Sequence, residues 1–404
     1  MKEFGYLNLL VPQVFSLQEE QQAIQNTMTI DYAFGHREIV RQFAENHRRF
    51  IGHFDWLAKL SSSQLKQALQ TAKPNSLLMT MIMLTGECNA NCEICYTDRR
   101  KKANELSFEE IRSIIDRTKA LGSKTVYIAG EGEPTLDSSF FKVVEYVKAI
   151  GSRMLVFTNG TLLSNDQLAK ERWGMSSEEI VLRLADAPVW IYHKFWSTHP
   201  ELVDRLMRLP TTINYEYVNW PLNDGRVIFI PKGLFLLLKH LPRERVGIEV
   251  VIERRNANEV ADRIVPFIMQ TGVKSYLEPI IHSGKNFNVH SYDPTEEQLA
   301  LLRPYLVRQG CTRVAYKFAV HNNGDATPGI SILPNHLRLQ ENYTHLNIRG
   351  ENGVKDIFML RHTHPFLVQN RYRIDGCLCE MFNLEMAKKF SPLSKNDESC
   401  ITYI

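Results

Sequence analysis

Three cysteines fall within eight residues, in the run Cys88-Asn-Ala-Asn-Cys92-Glu-Ile-Cys95. Thiolates are natural ligands of iron–sulfur clusters and of zinc. A four-iron cluster takes one ligand per iron. Three local thiolates therefore leave one iron open to chelate a small molecule, as the open position of a catalytic zinc does. The same spacing taken alone also suits half of a zinc site or a structural knuckle. The chain has 404 residues and seven cysteines. An odd number cannot all pair with one another, and seven are too few for a disulfide scaffold, so metal binding or redox work in a reducing compartment is expected.

Such a loop needs a rigid frame. Apolar stretches at 77–84, 125–129, 154–158, 189–195, 246–252 and 274–281 read as six buried strands. Helical stretches separate them, at 107–121, 138–150, 164–184, 199–209, 234–241 and 258–271, and the first opens on the capping box Ser107-Phe-Glu-Glu110. Strands each followed by a crossover give a parallel sheet of right-handed units. Six of them make an α/β fold, a partial (β/α)6 TIM-like barrel. Polar groups at the C-terminal strand ends then face a common mouth. The rhythm breaks at 211–230, where two apolar runs flank Leu222-Asn-Asp-Gly225, a hairpin insertion. Its Tyr215, Tyr217 and Trp220 suit either a substrate lid or a packed core.

Residues 1–75 read as a helical N-terminal extension, serving as a cap on the barrel or as a recognition module. The barrel is expected over 76–290 and a small C-terminal segment over 291–404, beginning with a helix after Pro294. There His321-Asn-Asn-Gly-Asp325 marks a hairpin turn. Net charge is +3, from 48 basic and 45 acidic residues, so nothing in it demands nucleic acid or an anionic membrane. The basic run Asp98-Arg-Arg-Lys-Lys102 reads as a solvated loop, with a phosphate or RNA contact as the alternative. No apolar run approaches the roughly 20 residues that span a bilayer, and residues 1–11 carry no secretory pattern. The expected compartment is the cytoplasm.

The C-x3-C-x2-C run after a first barrel strand resembles the radical S-adenosylmethionine (SAM) superfamily, and other segments over 77–285 match in order. Gly130-Glu131-Gly132-Glu133-Pro134 looks like the family's Gly-Gly-Glu-Pro loop, with Glu131 where a glycine often sits. The resemblance implies that this loop holds the SAM amino group. It also implies that Thr158 and Asn159 meet the ribose, that Lys194 and Ser197 form the Lys-x-x-Ser segment, and that Arg254 pairs with the SAM carboxylate. Glu278-Pro followed by Gly284-Lys285 is similar to the last barrel motif. The residue before the third cysteine is usually aromatic in the family. Here it is Ile94, and Tyr96 stands in as the expected adenine contact.

The remaining cysteines, Cys311, Cys377, Cys379 and Cys400, lie in a segment that resembles SPASM and twitch extensions. Gly329 stands where those commonly have a second cysteine. Four cysteines suffice for one auxiliary iron–sulfur cluster with Cys377-Leu-Cys379 as its centre; unrelated buried or free thiols, and a thiol that donates hydrogen to a substrate radical, are the other readings. The family further implies a 4Fe-4S cluster on Cys88, Cys92 and Cys95, reductive cleavage of SAM to a 5′-deoxyadenosyl radical, and a flavodoxin- or ferredoxin-type electron donor. The expected reaction is hydrogen abstraction from a natural-product small molecule or a peptide residue, leading to oxidation, epimerisation or cross-linking. RNA modification and a non-enzymatic iron–sulfur sensor or electron carrier are the alternatives.

Overall fold

The computed structural model describes residues 77, 79–97, 104–282, 290–302, 305, 317–327, 346–350 and 353–363. The extension expected over 1–75 lies outside them. The first strand, β1 (Met79–Ile82), pairs in parallel with β2 (Thr125–Ile128), and β2 with β3 (Arg153–Thr158). The series continues through β4 (Val189–Lys194), β7 (Val246–Ile252) and β8 (Lys274–Pro279), all parallel and in chain order. These six strands and their crossovers form a partial (β/α)6 barrel. The helices are α1 (Phe108–Ala120), α2 (Phe140–Ala149), α3 (Asp166–Trp173), α4 (Ser177–Ala185), α5 (Pro200–Met207), α6 (Lys232–His240) and α7 (Val265–Thr271).

Local chemistry sets the helix ends. Ser107 and Glu110 close a reciprocal capping box at the start of α1, and Ser176 and Glu179 do the same for α4. The helical stretch expected over 164–184 is two helices, because Gly174 takes a left-handed conformation and stops α3.

Each strand is buried on both faces, and alternate residues part into two cores. Met154 and Val156 of β3 and Val189 and Ile191 of β4 face the helices. Leu155, Phe157, Trp190 and Tyr192 pack with Met81, Met83 and Tyr276 in a second cluster. Phe157 stacks on Tyr192 with ring centroids 4.8 Å apart. Gly247 of β7 makes room for that ring, since a Cβ there would lie 2.4 Å from Tyr192.

The hairpin of the insertion is β5 (Tyr217–Pro221) with β6 (Val227–Pro231), antiparallel. Its aromatics pack inward: Tyr215 is 6% exposed, and Trp220 meets Phe267 of α7 edge to face. That favours the packed core over the lid. At the other edge of the sheet, β9 (Lys317–Val320) runs parallel to β1 and turns at His321–Asp325 into β10 (Asp325–Thr327). Strand β11 (Leu346–Asn347) pairs next to β10, so among the described residues the sheet has nine strands. The C-terminal hairpin thus continues the barrel sheet. Helices α8 (Glu296–Leu302) and α9 (Gly353–Thr363) complete the described elements.

Candidate active site

An open cavity lies at the C-terminal ends of the parallel strands, where a barrel of this kind gathers its reactive groups. Cys88, Cys92 and Cys95 line it, half-buried, and none is in a disulfide. The loop that carries them is pinned on two sides. On one, the Glu105 carboxylate accepts hydrogen bonds from the Gly86 amide at 2.7 Å and from the Thr85 hydroxyl, and the Asn322 amide reaches the same group at 3.0 Å. On the other, the Asn91 amide donates to the Met207 carbonyl of α5 at 2.8 Å, and Glu93 is gripped by Arg208 and by Arg255, the latter at 2.9 Å. Burial works to raise the Glu93 carboxyl, but hydrogen bonds from Arg255 and Arg208 outweigh it and hold the group below its ordinary value.

The Gly130–Pro134 loop after β2 meets this loop backbone to backbone. A Cβ on Gly132 would lie 2.3 Å from the Thr85 carbonyl oxygen and 2.4 Å from that of Glu87, and its φ is +68°. The next amide, that of Glu133, donates to the Glu87 carbonyl at 2.7 Å. Glycine is required here by both contact and conformation. The Glu133 carboxylate is buried and fastens β2 to β3. It accepts from the Thr158 hydroxyl at 2.7 Å, from the Thr135 hydroxyl at 2.6 Å and from the Asn159 amide at 2.6 Å. Burial pushes its pKa up, and these hydrogen bonds oppose the shift without cancelling it.

Asn159 links the third strand to the cysteine loop. Its side-chain amide donates to Asn89 at 2.9 Å and stands 3.8 Å from the Cys88 sulfur. Beneath it, the Tyr215 hydroxyl donates to the Asn159 carbonyl. Lys194 ends β4 inside the cavity, with its ammonium 2.7 Å from Glu249 and 4.9 Å from the centre of the Trp196 ring. Tyr96 lines the same wall, and burial, then the charge of Glu249, pushes its phenol far up. Ile94 is buried with Ala90, Trp196 and Val251, and all four line the cavity beside the cysteines.

Of the sequence-derived residues, Cys88, Cys92, Cys95, Tyr96, Gly130, Gly132, Glu133, Thr158, Asn159 and Lys194 therefore share one cavity. Four do not line it. Glu131 is fully buried behind the loop, its carboxylate 3.6 Å from His321 of the C-terminal hairpin. Pro134 begins a buried turn of 3-10 helix. Ser197 is buried and donates to Glu259 at 2.6 Å, bracing the chain after β4 against the helical turn Ala257–Glu259 that follows β7. Arg254 is exposed, and its guanidinium donates to the Asp293 carbonyl at 2.9 Å. Arg255 is the guanidinium that reaches the cysteine loop. Sequence reading missed Glu249, Trp196, Phe157 and Val251. A lone acid in the apolar run of β7 was the available signal for Glu249. Cys311, Cys377, Cys379 and Cys400, with Gly284, Lys285 and the basic run at 98–102, lie outside the described residues.

The donor set of the mouth is three thiols, and the carboxylate between them in the loop, Glu93, is held by Arg208 and Arg255, which fits an iron–sulfur cluster. The family model of the radical SAM superfamily matches residues 82–218. Residues 82–218 belong to the radical SAM superfamily. That family implies a 4Fe-4S cluster and SAM, and the radical SAM stretch runs from β1 through the cysteine loop to the start of the hairpin. A Fe-coproporphyrin III synthase of Methanosarcina barkeri is 31% identical over 115 residues, 28% of each chain. The tungsten-containing aldehyde ferredoxin oxidoreductase cofactor-modifying protein of Pyrococcus furiosus is 23% identical over 201 residues, 48% of this chain and 49% of that one. The match spans half or less of each relative's length. Among solved structures, SuiB of Streptococcus suis bound to precursor peptide SuiA aligns with a TM-score of 0.49 at 15% identity, over 78% of this chain and 72% of that one. Among the described residues no helix is long and apolar enough to cross a membrane.

Proposed function

We propose that this chain cleaves SAM reductively and uses the resulting radical to abstract hydrogen from a natural-product small molecule or a residue of a peptide. The observation that carries this reading is the convergence of Cys88, Cys92 and Cys95 with Gly132, Asn159 and the Lys194–Glu249 pair on one cavity. When bound, a reduced four-iron cluster with one open iron and SAM supply a 5′-deoxyadenosyl radical able to take hydrogen from an unactivated C–H bond.

The chain's own residues bind, orient and shield. The three thiolates hold the cluster. Gly132 lets backbone approach the ligand closely, and Thr158 and Asn159 present polar groups at the end of β3. Lys194 and Glu249 place one charge of each sign on the cavity wall, which complements the ammonium and carboxylate of an amino acid such as SAM. Trp196, Phe157 and Val251 make the wall beside them apolar, so water is thinned around the reacting atoms. Tyr96 and Trp196 offer aromatic faces for a nucleobase.

The four remaining cysteines are proposed as ligands of an auxiliary cluster in the C-terminal segment, which suits oxidation or cross-linking. A flavodoxin- or ferredoxin-type protein is the proposed electron donor. The relatives' own names, a synthase of an iron porphyrin and a cofactor-modifying protein, differ in what is acted on and single out no substrate. A sensor has no need of polar groups gathered from successive strand ends around one cavity, which favours an enzyme. The test is mass spectrometry of 5′-deoxyadenosine after turnover with deuterated substrate. Deuterium from one substrate carbon is expected in that product. Turnover without label transfer from any carbon contradicts direct abstraction.

A further inference from the structure

Beyond the cysteine mouth, His282, His290 and Asp293 bring three ligand atoms to within 4.8 Å of one another. We propose that these side chains form a second, independent metal site that takes a divalent cation of zinc type. Two imidazole nitrogens and a carboxylate oxygen are the borderline donors that zinc prefers, and three protein ligands leave a fourth position for water.

The geometry supports a shared cation. Each imidazole addresses a different oxygen of the one carboxylate, His282 Nε2 lying 3.0 Å from Oδ1 and His290 Nδ1 sharing a hydrogen bond with Oδ2 at 3.1 Å. Ligand atoms about 2.0–2.1 Å from a tetrahedral zinc stand about 3.3 Å apart, so three atoms already within 4.8 Å of one another need only a small side-chain adjustment to share a cation. Asp293 Oδ1 is buried and makes no hydrogen bond of acceptable geometry despite the nitrogen beside it. Proximity without a donor direction is the arrangement two lone pairs adopt around a cation. The two imidazole rings lie 4.2 Å apart between centroids, tilted by 40°.

The frame is already built. The Asp293 amide donates to the His290 carbonyl at 3.1 Å, closing a turn that presents both side chains together. Arg254 fixes that turn from outside, its amide donating to the Tyr292 carbonyl at 2.8 Å and its guanidinium to the Asp293 carbonyl. His282 follows three residues after the end of β8. A cation here would tie the sixth parallel strand to the 290–293 turn. The Tyr292 ring of that turn lies 4.2 Å from the guanidinium of Arg255, which grips Glu93 of the cysteine loop. The site thus has a structural part to play at the rim of the mouth.

The test uses the full chain with its clusters reconstituted anaerobically, titrated with Zn²⁺ against a chromogenic zinc indicator, and with Co²⁺ as a spectroscopic probe. One Zn²⁺ per chain is expected in addition to the cluster metal. The Co²⁺ complex should show weak visible bands without thiolate-to-cobalt charge transfer. His282→Gln and His290→Gln should each weaken Zn²⁺ binding at least 10-fold, and Asp293→Asn should do the same, with cluster iron unchanged. No Zn²⁺ uptake by the parent chain, or equal uptake by the His282→Gln/His290→Gln variant, overturns the proposal. Should that variant fail to fold, the cobalt spectrum of the unaltered chain decides: a thiolate band on the only bound Co²⁺ refutes the site.

Discussion

Lys194 and Glu249 are register partners on neighbouring strands, and their charged groups meet 2.7 Å apart inside the cavity, where their side chains are 15% and 9% exposed. Removing one partner of a pair this buried strands the other charge, at a cost of about 3–5 kcal/mol, whereas replacing both with apolar groups of similar size is far milder. Lys194→Met and Glu249→Leu should therefore each lower stability by more than the double variant does. Denaturant melts of all four proteins give the coupling term, which on this expectation exceeds either single loss, at about 3 kcal/mol or more. Independent, additive losses would mean that the pair carries no mutual stabilisation. The double variant should still bind SAM at least 10-fold more weakly than the parent in equilibrium dialysis, since the cavity then holds no charge of either sign from these strands.

Glycines 132 and 151 make a matched comparison. Both have positive φ, +68° and +66°, but a Cβ at Gly132 would strike two backbone carbonyls of the cysteine loop, while one at Gly151 would meet nothing within 4 Å. Gly151→Ala should cost only the backbone penalty of about 1–2 kcal/mol and leave iron loading intact. Gly132→Ala should push the cysteine loop away from its seat and cut iron incorporated at the first cluster by more than half. Iron analysis after reconstitution separates the two. Equal iron in both variants would show that the close approach at Gly132 does not position the thiols.

How far these features were legible in the sequence depends on whether they are local. The six strands, the capping box at Ser107 and the loops at Cys88–Cys95 and Gly130–Pro134 follow from apolar runs and loop residues over a few positions. Glu249 was hidden because β7 is buried on both faces, so its residues carry no polar alternation to reveal which ones face the mouth. Choosing Arg255 over Arg254 required the turn at Glu253–Asn256, where the Asn256 side chain accepts from the Glu253 amide and the two guanidinia go to different partners. The pairing of β9 with β1 joins residues more than 230 positions apart, and local pattern holds no trace of it.

His193 predicts a pH effect on stability. Its ring is fully buried on the helix side of β4, its Nδ1 lies 2.7 Å from the Lys194 carbonyl, and burial lowers its pKa from 6.5 to about 4. A base with a depressed folded pKa binds more protons when unfolded. Its contribution is therefore complete above pH 6.5 and is lost as pH falls from 6.5 towards 4. Between pH 7 and pH 5 this one residue should cost about 2 kcal/mol, because the unfolded chain gains about 1.4 kcal/mol for every pH step below the ordinary histidine value. Urea melts of the parent and of His193→Gln at both pH values test it. A parent and variant with the same pH dependence would mean that another group governs acid sensitivity.

The central claim is that Cys88, Cys92 and Cys95 hold a cluster that cleaves SAM in the cavity they line. The most direct measurement is 5′-deoxyadenosine formed by anaerobically reconstituted protein supplied with SAM and a strong reductant, parent against the Cys88→Ala/Cys92→Ala/Cys95→Ala variant. The parent should form 5′-deoxyadenosine in a reductant-dependent reaction, and the variant none above the protein-free background. A parent that forms none while carrying its full iron, or a variant that forms it at the parent's rate, would contradict the account.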